Sequence, residues 1–246
     1  MQAFFRFYAE LNDFLPVARR QVTFPHPFDH RASVKDMIES LGVPHTEIDL
    51  ILVDDQPVDF SYIVQDGDRI GVYPMFEAFD ISPVARLRPQ PLRQPKFVLD
   101  THLGKLANYL RRLGFDTLYR NDYADDELAR ISAGEKRILL TKDRGLLKRS
   151  LVTHGYCVRA ADPKRQVREV LDRFDLYSLI APFTRCLRCN GPIEPVPKEI
   201  IVGRLPDNVA REQNEFYRCT ACDQIYWPGS HYVSMQSFLA NLLNSR

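Results

Sequence analysis

An apolar run ending on an acid constrains this chain more than any other feature. Phe97, Val98 and Leu99 lead straight into Asp100, and a helical pattern follows at once through Leu103, Leu106, Ala107, Leu110 and Leu113. Such a run is a buried strand delivering a carboxylate to its own C-terminal edge, where open α/β sheets bind ligands. The ending recurs: Ile138 to Thr141 is followed by Lys142-Asp143, and Tyr156 to Ala160 by Ala161-Asp162-Pro163. A further strand is predicted at Thr117–Arg120, helices from Gly145 to Arg149 and from Pro163 to Phe174, and another helix opens at Asp125-Asp126-Glu127-Leu128. From residue 96 to about 180 the order is therefore β-α-β-α-β-α-β-α, which implies a mostly parallel sheet with helices on both faces. Asp100, Asp143 and Asp162 are predicted at one rim, with Asp125, Asp126 or Glu127 reaching in from a helix start.

Carboxylates gathered at one rim repel one another unless a cation neutralises them. Mg²⁺ or Mn²⁺ takes oxygen ligands, keeps waters and can activate one of them toward a phosphodiester. The chemistry expected of the rim is thus metal-assisted phosphodiester hydrolysis. Each acid also has a plainer use: an aspartate after a strand forms turns and N-caps, and acids in a first helical turn answer the helix dipole. A haloacid-dehalogenase phosphatase would carry a second acid two residues after the first, but Asp100 is followed by Thr101 and His102.

The flanking segments read differently. Over residues 1–80, alternation around Phe5 and Phe7, a return strand near Arg20 to Phe24, a helix N-capped by Ser33 with Val34, Met37, Ile38 and Leu41 on one face, and strand segments at Leu50–Val53 and Gln65–Pro74 give β-β-α-β-β. Residues 81–95, with four prolines and no periodicity, form a linker. Residues 181–246 carry Cys186-x-x-Cys189 and Cys219-x-x-Cys222, the ligand set of a closed structural zinc site, and end on a helix from Val233 to Leu243. Four of the five cysteines lie in these pairs, which suits a reducing compartment better than a disulfide framework. Net charge is +1 and no apolar run approaches the ~20 residues of a membrane helix. A cytoplasmic protein without a membrane contact is expected, with any nucleic-acid surface a local patch.

Two resemblances attach to these residues. Asp66-Gly-Asp-Arg-Ile-Gly-Val-Tyr-Pro74 and the elements before it resemble the β-grasp fold of ubiquitin and the sulfur-carrier proteins, although Met75-Phe76-Glu77 continues where a carrier would end on Gly-Gly. Phe97-Val-Leu-Asp100, Leu103-Gly-Lys-Leu-Ala107, Asp125-Asp-Glu-Leu128 and Ile138-Leu-Leu-Thr-Lys-Asp-Arg144 resemble the Mut-seven C-terminal RNase domain family, from residue 96 to roughly 235. That resemblance implies a PIN-like nuclease in which Asp100 and Asp143 bind the catalytic metal, an acid among Asp125, Asp126 and Glu127 assists, and Asp162 is a fourth candidate. The expected architecture is multidomain, α+β and α/β: a β-grasp domain (1–80), a linker (81–95), a PIN-like domain (96–180), and a zinc ribbon with C-terminal helix (181–246). RNA is the expected substrate, with a protein partner on the β-grasp domain. The alternative is a non-catalytic RNA-binding or adaptor protein with a vestigial acidic site.

Overall fold

The computed structural model describes residues 1–74, 95–229, 237 and 240. The linker expected at 81–95, apart from Pro95, and the helix expected at Val233–Leu243, apart from Ser237 and Ala240, lie outside the described residues. In chain order the elements are β1 (Gln2–Phe7), β2 (Phe24–Pro27), α1 (Val34–Ser40), β3 (Ile48–Val53), β4 (Gln56–Val58), β5 (Arg69–Pro74), β6 (Phe97–Leu99), α2 (Gly104–Arg112), β7 (Thr117–Tyr119), α3 (Asp125–Glu135), β8 (Ile138–Thr141), α4 (Arg144–Leu147), β9 (Gly155–Cys157), α5 (Pro163–Arg173), β10 (Ile193–Pro195), α6 (Lys198–Ile201), α7 (Asp207–Glu212), β11 (Tyr217–Cys219) and β12 (Ile225–Tyr226). The strand–helix alternation from β6 to α5 follows the order expected of the central segment. Two compact units result: Met1–His102 with Asp122–Arg159, and Leu103–Asn121 with the chain from Ala160 onward. Among the described residues no helix is long and apolar enough to cross a membrane.

In the first unit the N-terminal sheet runs β2-β1-β5-β3-β4, with β1 and β5 parallel and the other pairs antiparallel. Phe5, Phe7, Ile51, Ile70 and Val72 alternate onto its buried face, where Val34, Met37 and Ile38 of α1 meet a common core. Ser33 starts that helix as expected, its Oγ accepting the Asp36 N–H at 3.1 Å, and Gly42, at φ +105°, ends it. Two details differ from the sequence reading: a fifth strand, β4, pairs with β3, and the return strand begins later. The chain does not return as a strand at Arg20 but at Phe24, because two 3-10 turns, Ala9–Phe14 and Val17–Arg19, fill the interval. The buried Asn12 fixes them: its Nδ2 donates to the Phe7 and Ala9 carbonyls at 2.9 Å each, and its Oδ1 accepts the Gln21 N–H at 2.6 Å.

The same unit holds β6, β8 and β9, paired in parallel with Leu99 opposite Leu140 and Thr141 opposite Cys157. These strands are buried on both faces, so they read as unbroken apolar runs. Helix α3 packs on β6 and β8, and α4 on β8 and β9. Against β9 sits the turn His45–Glu47 of the N-terminal segment. Glu47, fully buried, accepts the Cys157 N–H at 2.6 Å on Oε1, and an Arg159 N–H at 3.2 Å on Oε2. His45 bridges Glu39 Oε1 (2.6 Å) and the Val152 carbonyl (2.9 Å). A buried carboxylate therefore meets a strand N–H that would otherwise lack an acceptor. Burial works against the charge of Arg159, yet the Glu47 carboxylate outweighs it and holds the guanidinium above its ordinary value.

In the second unit α2 lies against α5. Gly114, at φ +93°, ends the α2 segment, and a Cβ there would lie 2.1 Å from the Ala181 carbonyl oxygen. The ribbon is an antiparallel sheet in the order β10-β11-β12. It has a small apolar core of its own. Val196, Ile201, Phe216 and Ile225 are buried together, flanked by Leu205, Val209 and Trp227, because the long stretch between the two cysteine pairs folds α6 and α7 against the sheet.

Candidate functional site

At the ends of β6 and β8 one hydroxyl joins two acids. Thr141, fully buried, donates through Oγ1 to Asp100 Oδ2 at 2.8 Å and accepts the Asp143 N–H on the same oxygen at 2.9 Å. Asp100 is 7% exposed, and Thr101 Oγ1 holds its other carboxylate oxygen at 3.0 Å. The parallel pairing of β6 with β8 makes this contact, and the Asp100 N–H donating to the Leu140 carbonyl at 3.1 Å extends it by one residue. Asp143 is exposed and N-caps α4, its Oδ1 accepting the Gly145 N–H at 2.7 Å. A Cβ at residue 145 would lie 3.1 Å from that oxygen, so glycine there keeps the carboxylate in place.

The remaining predicted acids have other partners. On α3, Asp126 is bonded to Arg149, whose second terminal nitrogen lies 3.8 Å from Asp125 Oδ2. Glu127 is half-buried on the same turn. Asp162 belongs to the second unit and N-caps α5, accepting the Lys164 and Arg165 N–H groups at 3.0 Å each. Among the described residues, the one group of three or more possible ligands close enough to share an ion is the four cysteines. Thr141 and Arg149 were not singled out by sequence reasoning. The Thr-x-Asp spacing carried the signal for Thr141, whereas nothing local pointed to Arg149. Cys157, buried in β9, is a small core residue.

In the ribbon, Cys186, Cys189, Cys219 and Cys222 place their sulfurs within 4.8 Å of one another, with Cys186–Cys222 at 3.6 Å and Cys189–Cys219 at 3.4 Å. A tetrahedral ion with Zn–S bonds of about 2.3 Å sets its sulfurs about 3.8 Å apart, so this cluster can hold zinc. Gly191 is required for the approach, since a Cβ there would fall 2.8 Å from Ala221 Cβ and 3.1 Å from Cys219 Sγ. The cluster's own hydrogen bonds can accommodate one thiolate. Burial pushes the Cys186 thiol up, but the Tyr226 hydroxyl and the Cys189 and Arg188 N–H groups outweigh it and bring it to about 6. Burial and the neighbouring sulfurs push Cys189 up to about 12, so a full set of thiolates needs a cation. Tyr226 also accepts the Leu187 N–H at 3.0 Å. Asn190, at φ +67°, ties the knuckle to its own unit: Oδ1 accepts the Thr117 N–H at 2.8 Å and Nδ2 donates to Asp116 at 2.7 Å. Phe216 is buried, and Trp227 and Tyr226 pack inside the ribbon.

A family model described as the Mut7-C RNAse domain matches residues 95–239, and one described as Mut7-C ubiquitin matches residues 1–80. No curated protein and no solved structure matches the chain. The first match covers more than half of the chain and takes in both strand-end acids and all four cysteines, so the protein belongs to the Mut7-C RNAse domain family, with a Mut7-C ubiquitin segment ahead of that domain.

Proposed function

We propose that the protein is a metal-dependent ribonuclease that hydrolyses RNA phosphodiester bonds, with Asp100 and Asp143 as the metal-binding pair and an acid of α3 assisting. The observation that carries this reading is the Thr141 hydroxyl shared between Asp100 and the Asp143 backbone. Two acids at neighbouring strand ends, oriented through a buried group, are a preorganised pair rather than two independent turn formers. The donor set is oxygen throughout, which suits Mg²⁺ or Mn²⁺, and Mg²⁺ commonly binds through one or two carboxylates, completing its shell with waters and substrate phosphate. A third protein ligand is therefore not required. When bound, the ion would supply an activated water and offset the charge developing on phosphorus. The chain's own part is to hold Asp100 rigid from both sides through Thr101 and Thr141, and to seat Asp143 at the start of α4. Asp125 and Asp126, both exposed and both facing Arg149, are the members of the set already engaged by a cation, and Asp162 serves as the cap of α5.

The four segments 1–80, 81–95, 96–180 and 181–246, the structural role of zinc, the cytoplasmic site of action and a protein partner on the N-terminal segment belong to the same reading. The rival is an RNA-binding adaptor with a vestigial rim. It is favoured by the engagement of Asp126 with Arg149 and by the absence, among the described residues, of a second ligand cluster beside the cysteines. Purified protein incubated with labelled single-stranded RNA, structured RNA and DNA, in Mg²⁺ or Mn²⁺, separates the two. Cleavage lost in Asp100→Asn and Asp143→Asn, by about a hundredfold or more, is expected of the ribonuclease. RNA binding without cleavage, unaltered by either substitution, identifies the adaptor.

A further inference from the structure

The two 3-10 turns between β1 and β2 reach the helix that begins at Asp143. The guanidinium of Arg144, the next residue, lies 4.8 Å from the centre of the Phe14 ring and faces the Phe14 and Asp13 carbonyls at 3.4 and 3.5 Å. The following carbonyl, Leu15, accepts from Arg20 Nε at 2.9 Å. Three consecutive carbonyls thus orient two guanidinium groups. Arg159 also lies over Phe14, at 5.0 Å, but its charge is met by Glu47 and Asp13. Among the described residues no carboxylate pairs with Arg20, Arg144 or Lys142.

We propose that Arg20 and Arg144 form a phosphate-binding wall beside the candidate site, and that its occupant is the backbone of single-stranded RNA. The identity of that polymer rests on the ribonuclease reading. An acidic rim repels a polyanion, so productive approach needs cationic groups at its flank. Guanidinium forks match phosphate oxygens, and anchoring them on carbonyls beforehand lowers the ordering cost of binding. On this basis the N-terminal segment contributes to substrate capture through Arg20, a side chain lent to the site from outside the Mut7-C RNAse domain.

The test is equilibrium binding of a fluorescein-labelled single-stranded RNA by the full chain, without added divalent ion, over rising KCl. Arg20→Gln and Arg144→Gln are each expected to weaken binding by about threefold to tenfold, and to reduce the slope of log affinity against log salt by about 0.7. Arg6→Gln, an exposed change on β1, should leave both quantities unaltered. Unchanged affinity and slope in both wall variants would overturn the proposal, as would poly-glutamate competing as well as RNA. Salt-dependent binding in a protein that cleaves no RNA with Mg²⁺ or Mn²⁺ would keep the wall and remove the ribonuclease reading. Cleavage with undiminished binding in both variants would do the reverse.

Discussion

The N-terminal segment and the ribbon are both small antiparallel-rich sheets, yet different forces hold them. The first encloses Phe5, Phe7, Leu11, Ile38, Ile48, Ile51 and Ile70, all essentially without solvent contact. Among the described residues the ribbon buries the apolar side chains of Val196, Ile201, Phe216 and Ile225 and gathers four cysteines, of which Cys186 and Cys219 are buried. At about 25 cal/mol per Å² of apolar surface, the first draws its stability from burial, whereas the second sets a smaller core beside a four-cysteine cluster that could hold zinc. Sequence periodicity therefore announces the first, and cysteine spacing the second.

The sharpest way to break this comparison is to remove the metal. Trp227 is the only tryptophan and packs on the ribbon core, so its fluorescence reports that segment alone. Chelation, or Cys219→Ser, should expose Trp227 and red-shift its emission, forfeiting binding energy on the order of 10 kcal/mol, while the far-ultraviolet signal of the N-terminal sheet persists. An unshifted emission after verified loss of zinc would show that the small apolar core suffices.

Next in size is the buried carboxylate of the first unit. Glu47→Ala removes the oxygen that accepts the Cys157 N–H and leaves Asp13 as the carboxylate facing Arg159, and should cost about 3 kcal/mol in urea unfolding. Glu47→Gln, which keeps an oxygen for one of the two donors, should cost less. Equal losses would mean that shape, not charge, matters at this position.

A smaller effect is expected at Asn190 in the second unit. Asn190→Ala strands the Thr117 N–H and puts an alanine at positive φ, for about 1–3 kcal/mol. Asn190→Gly relieves only the backbone and should recover part of that. Full recovery by glycine would assign the whole effect to φ and none to the hydrogen bonds.

What the sequence made legible follows from these forces. Strand endings at Asp100 and Asp143 and the Ser33 cap are local signals, and the strands and the cap lie where those signals put them. The Thr141 bridge depends on which strands lie side by side, information that periodicity does not carry. The pairing of Arg149 with Asp125 and Asp126 joins residues far apart in the chain, and nothing in either stretch anticipates it. The same holds for Glu47, which reads as an ordinary acid in a turn until the fold brings β9 against it. The ribbon's core is not legible in the sequence because the interval between cysteine pairs looks like loop, and Val196, Ile201 and Phe216 are brought together by the fold of that interval against the sheet.

The smallest effect concerns the pH response of the N-terminal sheet. His26 packs edge-on against Phe5 at 5.8 Å, and burial, followed by the nearby charge of Arg19, lowers it from its ordinary value of 6.5. The folded state therefore binds its proton less readily than the unfolded chain. Its contribution is fully present above about pH 6.5 and is lost as pH falls through the lowered folded value. Melting of the N-terminal sheet, followed by far-ultraviolet circular dichroism, should shift slightly downward over that window, and His26→Phe should flatten the shift. The ribbon also weakens in acid, as its thiolates are protonated and release the ion, but that loss appears in Trp227 emission and should survive His26→Phe unaltered. If the substitution flattened both signals together, the two segments would not be energetically separate, and the contrast between a sheet held by its apolar core and one held by sulfur would fail.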